Sequence, residues 1–542
     1  MNKAPINILS STPKLLVDAL SGTLPFKSDF PVHVDGASWK EFSSSIKRHE
    51  YLDSGVANAL SKQAKRYSPP AQVFESIEAL KEEGTLAVVT GQQPGMMGGP
   101  LLTLYKTITA IYLAQKLEKE SGVRTIPVFW MASSDHNLSE VTQLHWINKK
   151  GQFTGHKPSH TVNRVPVGRL KLNSFSEDVL AALEDDMPDT EFKAELIGYL
   201  KSSYTSEATF STSFQELSYK LFGKYGLIVF DPEDSNLKEL TSPFWEQTVN
   251  HIDTLQEELI EQSDTITSYG YKLQVPIEKG RPSMFLIDDD IRRKIVLDGY
   301  KIRAKSDIIL TKEELKKYAA SSPERLSAGV TLRPLLQSFF LPTGAYVAGP
   351  HEMAYWMQLN KSFETFNYRQ PSLIPRASFT LIEKKLRRRI EKYNISETDI
   401  LEGDNFLMDQ FLNKNNDTEI ESLFSELKNY IIEKENLLNQ KCSGSLYKGM
   451  TSKLEVGFRK INYQVEKLEG GFVNSLKASH SDMLMDVEKL TTHLLPVGKP
   501  QERVISPFYY LIRYGTGIID GLLNYTGDAI GNHLFVDMEE LI

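Results

Sequence analysis

The residues of this chain best able to do chemistry gather where apolar runs stop. In VVTGQQPGMMGGPLLTLYK one such run ends at Thr90, and Gly91, Gly95, Gly98 and Gly99 fall within nine residues before Pro100 opens an expected helix. Glycine lets a backbone come close to a ligand, and the first amides of a helix suit an anion. Neither familiar glycine pattern is met. Gly95 is followed by Met96, no lysine follows Gly98-Gly99, and of a GxGxxG fingerprint only Gly95-x-x-Gly98 is present. Gly91, Gln92, Gln93, Gly95, Gly98 and Gly99 are candidates to line a nucleotide or phosphate; the plain alternative is a tight strand-to-helix turn without a ligand. Lys106, nearly two turns into the helix, reads as a solvated or supporting cation of the same site.

Three more clusters follow. The run IPVFWMA ends in Ser133-Ser134-Asp135-His136-Asn137, where Asp135 could orient His136 or hold a metal or an amine, or the pair could simply cap a turn. Arg325 and Arg333 flank a glycine-containing loop ahead of Gly349-Pro350-His351-Glu352, and a planar guanidinium forks well onto carboxylate or phosphate. Gly498-Lys499-Pro500-Gln501-Glu502-Arg503 is the last; any one of these arginines reads equally as half of a surface salt bridge. Of the 11 histidines, His136, His145, His156 and His160 fall within 25 residues. His156 and His160 have a metal-ligand spacing only on a helix, which Pro158 opposes, so surface histidines are expected and no protein-bound metal.

Apolar runs must position these clusters. Leu86 to Thr90, IPVFWMA and GLIVFDPED read as buried strands, the first two joined by a helix over 101–119, which makes a parallel unit. Helices are expected over 54–67 and 73–83, the second closing at Gly84. YKLQVPI and RKIVLDGYKIRAK suggest strands inserted into a doubly wound core. After Pro375, Ile420, Leu423, Leu427, Ile431 and Leu438, and then Leu446 through Leu476 beyond a Cys-Ser-Gly turn, recur at helical spacing. They read as a helical hairpin, either projecting for self-association or lying against the body. The resulting division is 1–85, a lead-in; 86–150, 211–262 and 323–375, three parts of one α/β core; 151–210 and 263–322, two insertions; 376–495, a helical coiled coil; and 496–542, a return to the core.

With 542 residues, 40% of them hydrophobic, the chain can bury a sizeable core. A net charge of -8 without a long basic block disfavours nucleic acid as the main ligand, and one cysteine, Cys442, excludes an internal disulfide. No window reaches the roughly 18 uncharged apolar residues that span a bilayer, and the amino terminus lacks the apolar length of a signal peptide, so a cytoplasmic protein with no membrane partner is expected.

Taken together, TGQQPGMMGGPLLTLYK, PVFWMASSDHNLSEV, SPERLSAGVTLRPLLQSFFLPTGAYVAGPHEMAYW and GKPQERVISPFYYLIRYG resemble, in order and spacing, the BshC family, the cysteine-adding enzymes of bacillithiol biosynthesis. The family commonly carries acidic residues where this chain has Ser134 and Asn137, while Asp135 and His136 are retained. The resemblance implies a Rossmann-like, doubly wound core like that of class I nucleotidyl transferases, with two connecting insertions and a coiled coil that pairs two subunits. It implies a ligase that joins cysteine to the amine of glucosaminyl malate, with ATP and magnesium expected by analogy and a cysteinyl adenylate as the route. On that footing Asp135, His136 and Arg333 are the catalytic candidates. The glycine loop, Lys106 and Arg325 would serve the nucleotide, and Gly349, Pro350, Glu352, Lys499 and Arg503 the substrate. Two alternatives stand beside it: a related ligase for a different amino acid or amine, and a non-catalytic nucleotide-binding scaffold.

Overall fold

Leu86–Gln92 is uncharged, rich in Val and Thr, and buried at every position but the last, as a strand covered on both faces must be. In the structure, a computed structural model, it is the middle of a five-stranded parallel sheet. The order across is Ser372–Pro375, Thr343–Ala348, Leu86–Gln92, Thr125–Met131, Ile228–Phe230. Counted along the chain this is 5-4-1-2-3. Strands are added outward from Leu86–Gln92 in one direction and then in the other. In open α/β sheets the crevice beyond the carboxyl ends at that reversal is where ligands sit, here between Leu86–Gln92 and Thr343–Ala348. The residues described are 2–9, 12–26, 32–46, 50–156, 164–403, 406–407, 418–442, 449–479 and 481–542.

The helix Leu101–Ser121 crosses from the first strand to the second and stops where Gly122 adopts a left-handed φ of 71°. Trp130 stacks on Phe230 at 4.4 Å, with Phe340 beside them, under the carboxyl end of the sheet. The lead-in supplies helices Glu50–Lys65 and Ala71–Ala79 and a fully buried Trp39 whose indole donates to Thr125 Oγ1. Gly84, read as the end of the second helix, has a φ of +83° but lies beyond a turn that follows Ala79.

The insertions differ from the strand-rich reading. Among its described residues the first contributes one strand, Phe153–His156, antiparallel to Leu144–Ile147, before helices Phe175–Asp186 and Lys193–Ser203 take over. In the second, Met284–Asp288, Ile291–Leu297 and Ile308–Leu310 form a four-stranded sheet with Leu326–Ala328. YKLQVPI forms no strand: Pro276 lacks an amide to donate to a ladder. Inside the stretch read as helical from 376, Ser378–Ile382 is a strand, parallel to Asn532–Asp537, which in turn pairs antiparallel with Asn2–Pro5.

The chain forms two compact units, Met1–Lys384 with Lys499–Ile542, and Lys385–Gly498. In the second, Thr418–Lys441 and Met450–Ser479 run as long helices, with Ile431, Phe458 and Val465 buried between them and Phe424 and Leu454 packed alongside. Several residues of the predicted stripe face outward instead: Leu423, Leu427, Leu438, Met450, Ile461 and Leu468 are each at least 40% exposed. Leu446 and the turn at 443–444 lie outside the described residues. Among the described residues, no helix is long and apolar enough to cross a membrane.

Candidate active site

At the carboxyl end of Leu86–Gln92 the glycines serve close approach. A Cβ on Gly91 would lie 2.8 Å from the Trp130 carbonyl oxygen, and one on Gly95 would lie 2.8 Å from the Gly99 Cα. Gly98 and Gly99 have φ of +83° and +73°, which a side chain would strain. The loop's amides are committed inside the protein. Gly95 donates to the Gln93 carbonyl at 2.8 Å, Gly99 to that of Met96 at 2.9 Å, and Leu101, first in the helix, to that of Ile505 at 2.9 Å. Gly98 donates to the Gly95 carbonyl and to the Tyr204 hydroxyl. The amides of Gly95, Gly98, Gly99 and Leu101 are therefore not open to a phosphate: the turn itself, the Tyr204 hydroxyl and the Ile505 carbonyl take them.

Lys106 also departs from the sequence reading. It is 2% exposed rather than solvated, and its Nζ reaches back to the Gly91 carbonyl at 2.6 Å, to Gln92 Oε1 at 3.0 Å and to Glu352 Oε2 at 2.5 Å. Burial lowers its pKa against the pull of Glu352. Glu352 additionally accepts from the Gly349 amide at 2.7 Å and from the Tyr346 hydroxyl at 3.3 Å. Pro350 begins the short helix Pro350–Trp356. Lys106 and Glu352 thus tie together the two strand ends that flank the reversal, and no Lys106 donor is left for a phosphate.

Asp135 follows the end of Thr125–Met131 and is the centre of the second cluster. Its Oδ1 receives Arg333 Nη2 at 2.7 Å and faces Arg292 Nη1 at 3.5 Å; among the described residues its Oδ2 has Gln93 Nε2, at 3.4 Å. Arg333 stands at the start of the helix Arg333–Phe340. Arg292, absent from the sequence reading, comes from the second insertion. It is 2% exposed, with its guanidinium 3.7 Å from the Phe285 ring centre and bonded to Ser327 Oγ and the Ala328 carbonyl. Burial pushes the Asp135 carboxyl up, yet Arg333 and Arg292 outweigh it and hold the group below the usual carboxylate range. Burial also lowers Arg292, to about 10, which leaves it charged at neutral pH. His136, 3.5 Å from Arg292 through Nδ1, is half-buried; burial and then Arg292 and Arg164 lower its pKa, so it stays neutral and able to accept a proton.

Two predicted cations stand elsewhere. Arg325 is held on the second insertion by Asp288 Oδ1 at 2.6 Å and the Ile287 carbonyl, away from the Asp135 cluster's hydrogen bonds. Lys499 is exposed. Arg503, in contrast, is mostly buried, and its Nε has no hydrogen-bond partner among the described residues. Burial and the neighbouring Arg376 lower its pKa, and its own field lowers that of His351. What fixes it is its neighbour Glu502, fully buried and paired doubly with Arg376, once at 2.9 Å. Ser378 donates to Glu502 and meets His533 Nδ1 at 2.7 Å. Arg376 in turn donates its amide to the Ala348 carbonyl at 2.9 Å, which brings this segment to the end of Thr343–Ala348.

Among the described residues, no three His, Cys, Asp or Glu side chains are grouped to hold a metal. His145 stacks on Phe153 and His156 contacts Phe175, while His160 lies outside the described residues. Asn137 donates to Glu140 at 2.6 Å.

Two family models match the chain: "Bacillithiol biosynthesis BshC, N-terminal Rossmann-like domain" over residues 1–377, and "Bacillithiol biosynthesis BshC, C-terminal coiled-coil domain" over residues 379–538. Curated relatives carry the description "Putative cysteine ligase BshC". One from Bacillus cytotoxicus is 28% identical over 504 residues, covering 92% of this chain and 93% of the relative. One from Geobacillus thermodenitrificans is 27% identical over 538 residues, covering 97% and 98%.

Proposed function

The chain belongs to the bacillithiol biosynthesis BshC family, and from that premise we propose that it is a ligase joining the carboxyl group of cysteine to the amine of glucosaminyl malate, with ATP as co-substrate. The observation that carries this reading is the Asp135 carboxylate held between Arg333 and Arg292 beyond the end of Thr125–Met131. One carboxylate and two guanidiniums are the charge complement of a zwitterion that also bears developing negative charge. Asp135 Oδ2, not engaged by either arginine, would take an ammonium, and the arginines a carboxylate or phosphate.

A carboxylate does not acylate an amine unaided at neutral pH. In the proposed route a cysteine carboxylate oxygen attacks the α-phosphorus of ATP and pyrophosphate leaves. The amine of glucosaminyl malate then attacks the acyl carbon, AMP leaves, and the amine's proton passes to a base. His136, kept neutral, would take that proton. Arg503 would offer an oxyanion its Nε–H, which has no hydrogen-bond partner among the described residues. In this chain cations would do what loop amides do in phosphate-binding loops, since the amides of Gly95, Gly98, Gly99 and Leu101 are already donated. Magnesium would arrive with the phosphates.

We also propose that two copies pair through the helical unit in the cytoplasm, a reading supported by outward Leu423, Leu427, Ile461 and Leu468. The test of the reaction is purified protein with ATP, cysteine and glucosaminyl malate. Amide product with AMP and pyrophosphate is expected; product with ADP and phosphate would overturn the adenylate, and no product the ligase.

A further inference from the structure

Beside the ends of Thr125–Met131 and Ile228–Phe230 lies a cavity of about 20 Å³, lined by Trp130, Ser134, Lys238, Trp245 and Arg333, by Glu233, Thr241 and Ser327, and by apolar neighbours. Trp130 and Trp245 are each 1% exposed, and neither indole N–H has a hydrogen-bond partner among the described residues. Lys238 is not available to them, being a donor itself and already bound to Glu233 at 3.0 Å and to the Glu324 carbonyl at 2.9 Å. A buried N–H without an acceptor is costly, and two unpartnered indoles among the residues lining one small cavity point to an acceptor that enters it.

Size restricts what that acceptor is. A cavity needs roughly 10–15 Å³ to hold one water-sized group, so this one admits a single heavy atom with little to spare and no branched or long side chain. A water there would find the two indole donors and apolar walls, since the polar neighbours are engaged elsewhere: Glu233 with Lys238 and Arg169, Thr241 with the Lys238 carbonyl and Ser327 with Arg292. A sulfur suits the walls better: it is a weak acceptor, it is poorly hydrated, and it gains from contact with aromatic rings. The cavity also shares Arg333 with the Asp135 cluster, and Ser134 is Asp135's chain neighbour, so an amino acid held by its charged groups at Asp135 and Arg333 has the cavity within reach of its side chain.

We propose that this cavity is the thiol pocket of the ligase, receiving the sulfur of cysteine between the indole N–H groups of Trp130 and Trp245. The proposal rests on the cysteine reading above and adds the residues that would set its selectivity. The pocket rejects a longer or capped side chain by volume, and the indoles give the sulfur its hydrogen bonds.

The test uses the intact wild-type chain first, with cysteine, S-methylcysteine and homocysteine compared by calorimetry and in the product assay. One added methyl or methylene is expected to weaken binding by about tenfold or more. Trp245→Phe and Trp130→Phe, which keep a ring but lose the N–H, are expected to raise KM for cysteine about three- to tenfold and to leave KM for glucosaminyl malate unchanged. S-methylcysteine bound within twofold of cysteine by the wild type overturns the pocket even if neither variant folds. So does a folded variant with an unchanged KM for cysteine. In both cases conversion of cysteine by the wild type leaves the ligase reading standing; wild type that neither binds nor converts cysteine removes that reading and the pocket together.

Discussion

Lys106→Met tests whether the lysine after the glycine loop is a tie between strands or a ligand for phosphate. Methionine retains the stem within the helix and removes only the ammonium. The loss leaves the Gly91 carbonyl without its 2.6 Å donor and Glu352 without its 2.5 Å partner, while Glu352 keeps the Gly349 amide and the Tyr346 hydroxyl. Removing one member of a buried pair costs about 3–5 kcal/mol. Because the Glu352 side chain is 25% exposed and retains two donors, the lower end, about 3 kcal/mol, is expected. Glu352→Gln is expected to cost about 2 kcal/mol, since Lys106 keeps two neutral acceptors. In the double variant no buried charge is stranded, and the cycle should return a coupling of about 2 kcal/mol. All five tryptophans, Trp39, Trp130, Trp146, Trp245 and Trp356, lie in the first unit, so urea unfolding followed by tryptophan fluorescence reports that unit alone. A Lys106→Met variant that loses less than about 1 kcal/mol while KM for ATP rises would refute the tie and restore the phosphate clamp.

Arg503→Met removes a mostly buried cation whose Nε has no partner among the described residues, so stability is expected to hold or rise slightly while ligase turnover falls about a hundredfold; an unchanged rate takes Arg503 out of the proposed site. His533 is buried and its pKa is lowered by burial to about 4, so in the window from 6.5 down to 4 the unfolded chain takes up the proton and the folded one does not. Stability from this group is present above pH 6.5 and is lost as pH falls, by about 3 kcal/mol across the window. His533→Asn should flatten that slope between pH 7 and 4.5, and an unchanged slope counts against it. Leu454→Pro, inside the helix Met450–Ser479, should cost about 3 kcal/mol or more of helix stability and halve the mass seen by light scattering; a mass equal to wild type refutes pairing through this unit.

The sequence made the centre of the fold legible because Leu86–Gln92, Thr125–Met131 and Ile228–Phe230 are uncharged runs with bulky or β-branched residues, and only a strand buried on both faces needs that pattern. TGAYVA and SLIP are short, small or proline-ended, and they become strands because each finds a formed edge beside it. The same difference separates the site residues. Asp135 and Arg333 sit next to element ends and could be picked out locally. Arg292 lies in Arg-Arg-Lys on an alternating strand, a pattern that reads as solvated. Its burial depends on Phe285 across a hairpin and on Asp135, 157 residues away. Lys106 was misread for a related reason: the helix Leu101–Ser121 is covered on most of its faces, so a polar position on it does not imply water.

Lys106 gives the missing lysine of the glycine loop a physical meaning. A cation is present near the loop, yet it points back to the Gly91 carbonyl, and Glu352 balances its charge. The loop and its helix therefore bring no net positive charge to the crevice. In the proposed site that charge would come from Arg292 on the second insertion, Arg333 on a helix that follows it, and Arg503 on the segment after the helical unit. All three are shaped by a carboxylate: Asp135 draws Arg292 and Arg333 to one point, and Glu502, locked to Arg376, sets the backbone beside Arg503. A phosphate loop is local and can form with one strand and one helix. A cationic site drawn from three distant segments exists only when the insertion and the returning chain have both docked, so on the proposed reading the capacity to bind an oxyanion would be tied to completion of the whole first unit.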